Sequence, residues 1–144
     1  MTSVPHSTHA QSLVLADFLN ATAGVDAVLM ASEDGLPLGF AGVSAEAHEP
    51  LSAVVSTMFS LTQQVGMLAL GDPGAVAYQM VAFESGESVV MVRGHANTVV
   101  AAVVPMGADL EQVTNAVNLL ARQRPVSLSV DSRSKPLPPE GSAQ

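Results

Sequence analysis

The stretch Pro50–Gly71, PLSAVVSTMFSLTQQVGMLALG, contains no Asp, Glu, Lys, Arg or His. Leu51, Val54, Val55, Met58, Phe59 and Val65 recur at i, i+3, i+4 spacing, which predicts a helix with one apolar stripe. Leu61 and Leu68 widen that stripe on one flank. The opposite face then carries Ser52, Ala53, Ser56, Thr57, Ser60, Gln63 and Gln64, all small or neutral. A helix face that meets water ordinarily carries Glu, Lys or Arg. Charge is depleted where a surface is buried against a partner, and small side chains let a second helix come close. The expectation is a helix held between its own sheet and another polypeptide. The alternative is an ordinary surface helix in a chain that is only 12% charged. A membrane span ranks third, because three Ser, two Thr and two Gln dilute the apolar run below the ~20 predominantly apolar residues that a span needs. No direct membrane insertion is therefore expected.

A chain of 144 residues predicts one domain. Hydrophobic residues make up 48% and aromatics 3%, so the core must be built from Val, Leu, Ala and Met. The absence of Cys excludes disulfides, thiolate metal sites and a cysteine nucleophile. Net charge is −8, and residues 1–121 hold a single cation, Arg93. Such a body cannot neutralise a row of phosphates, which argues against nucleic acid and against an anionic membrane surface as partners. The N-terminus lacks the basic and apolar regions of a signal peptide, so a soluble cytoplasmic protein is expected.

Residues 1–7 are polar and are expected to be a flexible N-terminus. Thr8 and Gln11 fit a capping box, opening a first helix to about Ala23, with Gly24 suited to a left-handed stop. Residues 25–31 predict a strand and Ser32-Glu-Asp-Gly35 a turn. Residues 36–41 predict a second strand, confined to a sheet edge by Pro37. Pro50 fits the first turn of the long helix. Residues 75–83, apolar on both faces, predict a strand covered on both sides. A Ser85-Gly86 hairpin leads to a fourth strand over 88–93. The turn Gly94-His-Ala-Asn97 leads to a fifth over 98–104, apolar throughout and hence central. Asp109 caps a last helix with Leu110, Val113, Ala116, Val117 and Leu120 inward. Residues 125–144, with Pro125, Pro136, Pro138 and Pro139, are expected to be a mobile tail, although VSLSV at 126–130 has strand character. The order α-β-β-α-β-β-β-α, with hairpins joining strands 1–2, 3–4 and 4–5, makes an antiparallel α+β fold.

No catalytic or nucleotide-binding motif is present: neither G-x-x-x-x-G-K-[ST] nor G-x-S-x-G occurs. His6 with His9, or Glu46, His48 and Glu49, could loosely bind a metal, but a metal site needs three or four ligands held by a second shell, so surface residues are expected; His95 lies in a turn. No cofactor or metal is expected. Met67 points away from the main stripe and suits an adaptable partner surface. Met58, Met80 and Met91 fit the core. Tyr78, the one tyrosine, fits either an interface or a sheet face.

The strand pair VDAVLMASEDGLPLGFAG (25–42), the uncharged long helix, VAFESGESVVMVRG (81–94) and the closing helix after Asp109 together resemble the Roadblock / dynein light-chain family, over roughly residues 10–122. In length the chain is most similar to the bacterial branches. These are the MglB-like regulators of a Ras-like polarity GTPase and the actinobacterial conservon proteins encoded beside a small GTPase. The resemblance implies a Roadblock-like domain over 8–124. Its five-stranded antiparallel sheet would carry the long helix on one face and the first and last helices on the other. It also implies a homodimer with long helices packed together and third strands paired edge to edge. The expected interface residues are Ser52, Ala53, Ser56, Thr57, Ser60, Gln63, Gln64, Met67 and Tyr78. The implied role is that of a non-enzymatic adaptor that binds a Ras-like small GTPase. A ligand-sensing or purely structural dimerisation module is the alternative.

Overall fold

Thr98 and six successive apolar residues, Val99–Val104, form a strand in which all but Val103 are buried. A strand buried on both faces must lie inside a sheet covered on both sides. The computed structural model, which describes residues 6–123, places it there. In chain order the elements are α1 (His6–Ala21), β1 (Ala27–Ser32), β2 (Pro37–Ala41), α2 (His48–Leu70), a 3-10 turn (Pro73–Ala75), β3 (Gln79–Ala82), β4 (Ser88–Arg93), β5 (Thr98–Val104) and α3 (Leu110–Ala121). The strands form one sheet in the order β2-β1-β5-β4-β3, and every neighbouring pair is antiparallel. Pro37 lies on an edge strand, where its missing N–H costs no ladder bond.

Strand alternation sorts the core into two layers. Val28, Met30, Val90, Val92, Val100 and Ala102 point to the side covered by α1 and α3, where Leu15, Val113, Val117 and Leu120 meet them. Leu29, Met91, Val99 and Ala101 point to the other side, onto Val55 and Phe59 of α2. The Asp109 side chain accepts from the N–H groups of Glu111 and Gln112 at 3.1 and 3.3 Å, capping α3 as expected. Gly86, at φ +96°, makes the β3–β4 hairpin turn, and a Cβ there would lie 2.8 Å from Met106 Cγ.

Several boundaries and faces differ from the sequence reading. Helix α1 begins at His6, so residues 6 and 7 are helical and Thr8 lies inside the helix rather than capping it. Residues 1–5 and 124–144, including the proposed tail and its VSLSV segment, lie outside the described residues. On α3, Leu110 is 37% exposed, and Ala121 takes the inward position instead. Strand β3 is shorter than expected and is not covered on both faces. It is the second edge of the sheet, and Tyr78, Met80 and Phe83 are 51%, 44% and 52% exposed. Met80 is therefore not a core residue, whereas Met91 is fully buried.

The largest difference concerns α2. Ser52 and Ser56, expected on its outer face, are buried against the sheet, while Val54 and Val65, expected in the inward stripe, are more than half exposed. The physical reason is local. A serine lets the helix approach the strands closely and satisfies its own hydroxyl. The Ser52 Oγ donates to the His48 carbonyl at 2.7 Å, and the Ser56 Oγ donates to the Ser32 carbonyl on β1 at 2.6 Å. Helix α2 is also long and apolar enough, by length and composition alone, to cross a membrane. Here it lies on its own sheet through Ser56, Val55 and Phe59, while Gly66 is buried against Asp72 and Val76 of the segment that follows.

Candidate partner-binding face

Helix α2 turns an uncharged and largely apolar face outward. Val54, Leu61 and Leu68 are 52%, 60% and 85% exposed and recur every seven residues. Thr57 and Gln64, both exposed, fall between them. This is the a/d spacing of a helix that packs along another helix. Val65 and Met67 flank the seam and are also exposed. The helix stops at Gly71, which adopts φ 75° and returns its N–H to the Met67 carbonyl.

The residues singled out from sequence separate into three groups. Ala53, Thr57, Ser60, Gln64 and Met67 are on the exposed face, and Gln63 is half-buried. Ser52 and Ser56 are inside the protomer and unavailable to a partner. Tyr78 is exposed but stands apart, just ahead of β3 on the sheet edge. The sequence reading missed Val54, Leu61, Val65 and Leu68 as surface residues because it placed all four in the apolar stripe facing the sheet. The seven-residue repeat of Val54, Leu61 and Leu68 was the signal that could have found them.

A groove of about 270 Å³ runs beside this face, between the β1–β2 turn (Glu33, Asp34, Gly35) and Ala53, Thr57, Ser60 and Leu61 of α2. The Glu33 carboxylate at its rim accepts from Arg93 Nη1 at 2.8 Å, with both side chains about two-fifths exposed. The guanidinium also lies 5.8 Å from the centre of the Phe59 ring. The Arg93 side chain therefore sits on the α2 side of the sheet. Strand alternation explains this, since Arg93 follows Val89 and Met91 onto the α2 side while Val90 and Val92 point the other way. A half-exposed ion pair of this kind contributes ~0–1 kcal/mol.

Of the residues considered as metal ligands, His48 has other partners. His48 stacks on Phe40, ring centroids 4.1 Å apart, with its Nδ1 2.7 Å from the Ala45 carbonyl. Among the described residues no three His, Asp or Glu side chains converge.

A five-stranded antiparallel sheet with two helices on one face and one long helix on the other places the protein in the profilin-like class of α+β folds. Acanthamoeba castellanii profilin IA superposes with a TM-score of 0.53 at 14% identity, over 76% of this chain and 92% of that one. The Roadblock/LC7 domain model matches residues 12–103, and the chain belongs to the Roadblock/LC7 family. A Roadblock/LC7 domain from Streptomyces avermitilis is similar over 85% of this chain and 96% of its own, with TM-score 0.69 and 19% identity. Myxococcus xanthus MglB is similar over 96% and 99%, with TM-score 0.66 and 10% identity. No curated protein matches the chain in sequence.

Proposed function

We propose that the protein is a homodimeric, non-catalytic regulatory adaptor of the cytoplasm. In this reading it binds a Ras-like small GTPase over its paired α2 helices and tunes that partner's GTP hydrolysis. The observation that carries the reading is the seam of Val54, Leu61 and Leu68, with Thr57 and Gln64 between them, uncharged and uncovered in the single chain. An exposed, uncharged apolar surface of this kind marks a site that a partner covers. Membership of the Roadblock/LC7 family and the likeness in fold to MglB support a GTPase system as the setting. The net charge of −8 favours a partner with a basic contact surface.

Modulation of hydrolysis in this reading works by holding the GTPase's own catalytic groups in place, an effect of positioning. Arg93 is on the docking side but is engaged by Glu33 and Phe59 at the foot of α2. The test is co-purification with a Ras-like small GTPase from the same organism, loaded with GDP or with a non-hydrolysable GTP analogue. Retention of the GTPase in one nucleotide state, lost on Leu61→Glu, is the expected result. Failure to retain it in either state refutes the GTPase reading, while light scattering decides the dimer separately.

A further inference from the structure

The β4–β5 turn links the end of α3 to the groove beside α2. The His95 N–H donates to the Ala121 carbonyl at 2.9 Å, and the Glu33 N–H donates to the Asn97 carbonyl at 3.0 Å. His95 and Asn97 are two residues apart, so Ala121 and Glu33 stand on the order of 15 Å from each other. The chain therefore leaves α3, through exposed Arg122 and Gln123, at the end of the sheet that holds the acidic turn of the groove. Gly35 keeps that turn against α2, since a Cβ there would lie 3.4 Å from the Ala53 Cα. Glu33 and Asp34 thus stand beside a wall of Ala53, Thr57 and Leu61. Asp34 takes the Ser32 hydroxyl and Glu33 takes Arg93, and a carboxylate with one such bond still accepts others.

Charge is divided unevenly along the chain. Eleven of the thirteen Asp and Glu residues precede residue 124, against two cations, Arg93 and Arg122. The run 132–138, SRSKPLP, reverses this balance: it holds Arg133 and Lys135 and no carboxylate, with Leu137 beside them. We propose that this run docks in the groove of its own chain and acts as a removable cover for that flank of α2. Arg133 and Lys135 pair with Asp34 and Glu33, and Leu137 rests on Ala53 and Leu61.

Reach selects these cations. The steps from Arg122 to Arg133 span up to ~36 Å, enough to round the end of the sheet and pass the ~10 Å to the helix above it. Arg124, only ~7 Å of chain from Arg122, falls short. The contact joins exposed charges, so it adds little to the stability of the fold and opens in salt. Attachment to α3 keeps it populated, because the linking residues hold the run at an effective concentration on the order of millimolar. Leu61 belongs to the α2 seam as well as to the groove, so the docked run competes with any basic partner that approaches this face. The cover is a property of the single chain and stands apart from the GTPase reading.

The test is paramagnetic relaxation measured by NMR on the full chain, with a nitroxide carried on Ser134→Cys. The chain has no cysteine of its own, which confines the label to that position. Broadening of the Gly35, Ala53 and Thr57 amide signals is expected at low salt, reduced at least about fivefold in about 1 M NaCl. Arg133→Glu with Lys135→Glu should abolish it, and Glu33→Gln with Asp34→Asn should reduce it about as far. The reversed cations lie beyond α3, so unchanged positions of the other amide signals report an intact fold. Wild-type chain without broadening at these amides overturns the inference, as does broadening that survives reversal of both cations. Spin-labelled chain mixed with isotope-labelled, spin-free chain decides the remaining case. Broadening that arises only between chains also overturns docking within the chain.

Discussion

Replacing Leu61 with Glu should separate the dimer without unfolding the protomer. Leu61 is 60% exposed in the single chain, so most of its surface remains available for burial by a second copy. Full burial of a leucine side chain is worth ~1.5–3 kcal/mol, so the exposed part of Leu61 contributes about 1–2 kcal/mol per copy. Leu61→Ala, counted in both protomers and with the Cβ retained, should cost about 2 kcal/mol, a roughly 30-fold weaker dimer. Leu61→Glu adds two carboxylates brought together near a two-fold axis without partners, which costs several kcal/mol more. A weakening on the order of 10³-fold or greater is expected. Light scattering across a dilution series reads the constant, and circular dichroism checks the fold. Ser56→Glu is the contrasting control. Its side chain is 4% exposed and faces the Ser32 carbonyl, so the same charge placed there should unfold the protomer. A Leu61→Glu protein that dimerises as tightly as wild type, or a wild type that is monomeric, refutes the reasoning.

Arg93→Ala should lower GTPase-stimulated hydrolysis by no more than about tenfold in single-turnover assays, against the ~10³–10⁵ of a lost arginine finger. A thousandfold loss with binding intact would make Arg93 catalytic. Phe59→Ala should cost ~3–5 kcal/mol and lower Tm by more than about 10 °C, since Phe59 is 2% exposed at the contact of α2 with the sheet. Ala96→Gly should raise stability by about 0.5 kcal/mol in urea titrations, because Ala96 holds φ 56°, which L side chains disfavour. Truncation after Gln123 should leave Tm within a few degrees, since α3 ends at Ala121 with its Arg122 N–H returned to the Asn118 carbonyl. A large drop would show that the removed segment packs on the domain.

The sequence alone determined the elements, their order and the central strand. Those signals are local: turn chemistry at Asp34-Gly35 and Ser85-Gly86, a cap at Asp109, and an apolar run over 98–104 that cannot lie at a surface. The same local signals identified α2 as a helix whose outer face needs an explanation. They did not determine which side of α2 is outer. Composition ranks Ser below Leu as a core residue, but contact with a sheet is decided by distance and hydrogen bonding. Ser52 and Ser56 reach carbonyls at 2.7 and 2.6 Å where a leucine would hold the helix off, so the serines face in and Leu61 and Leu68 face out. The Glu33–Arg93 ion pair joins residues 60 positions apart, and β1 pairs with β5 across most of the chain. Neither contact leaves a local trace, because a sheet's strand order and its cross-strand neighbours exist only once the chain has closed on itself.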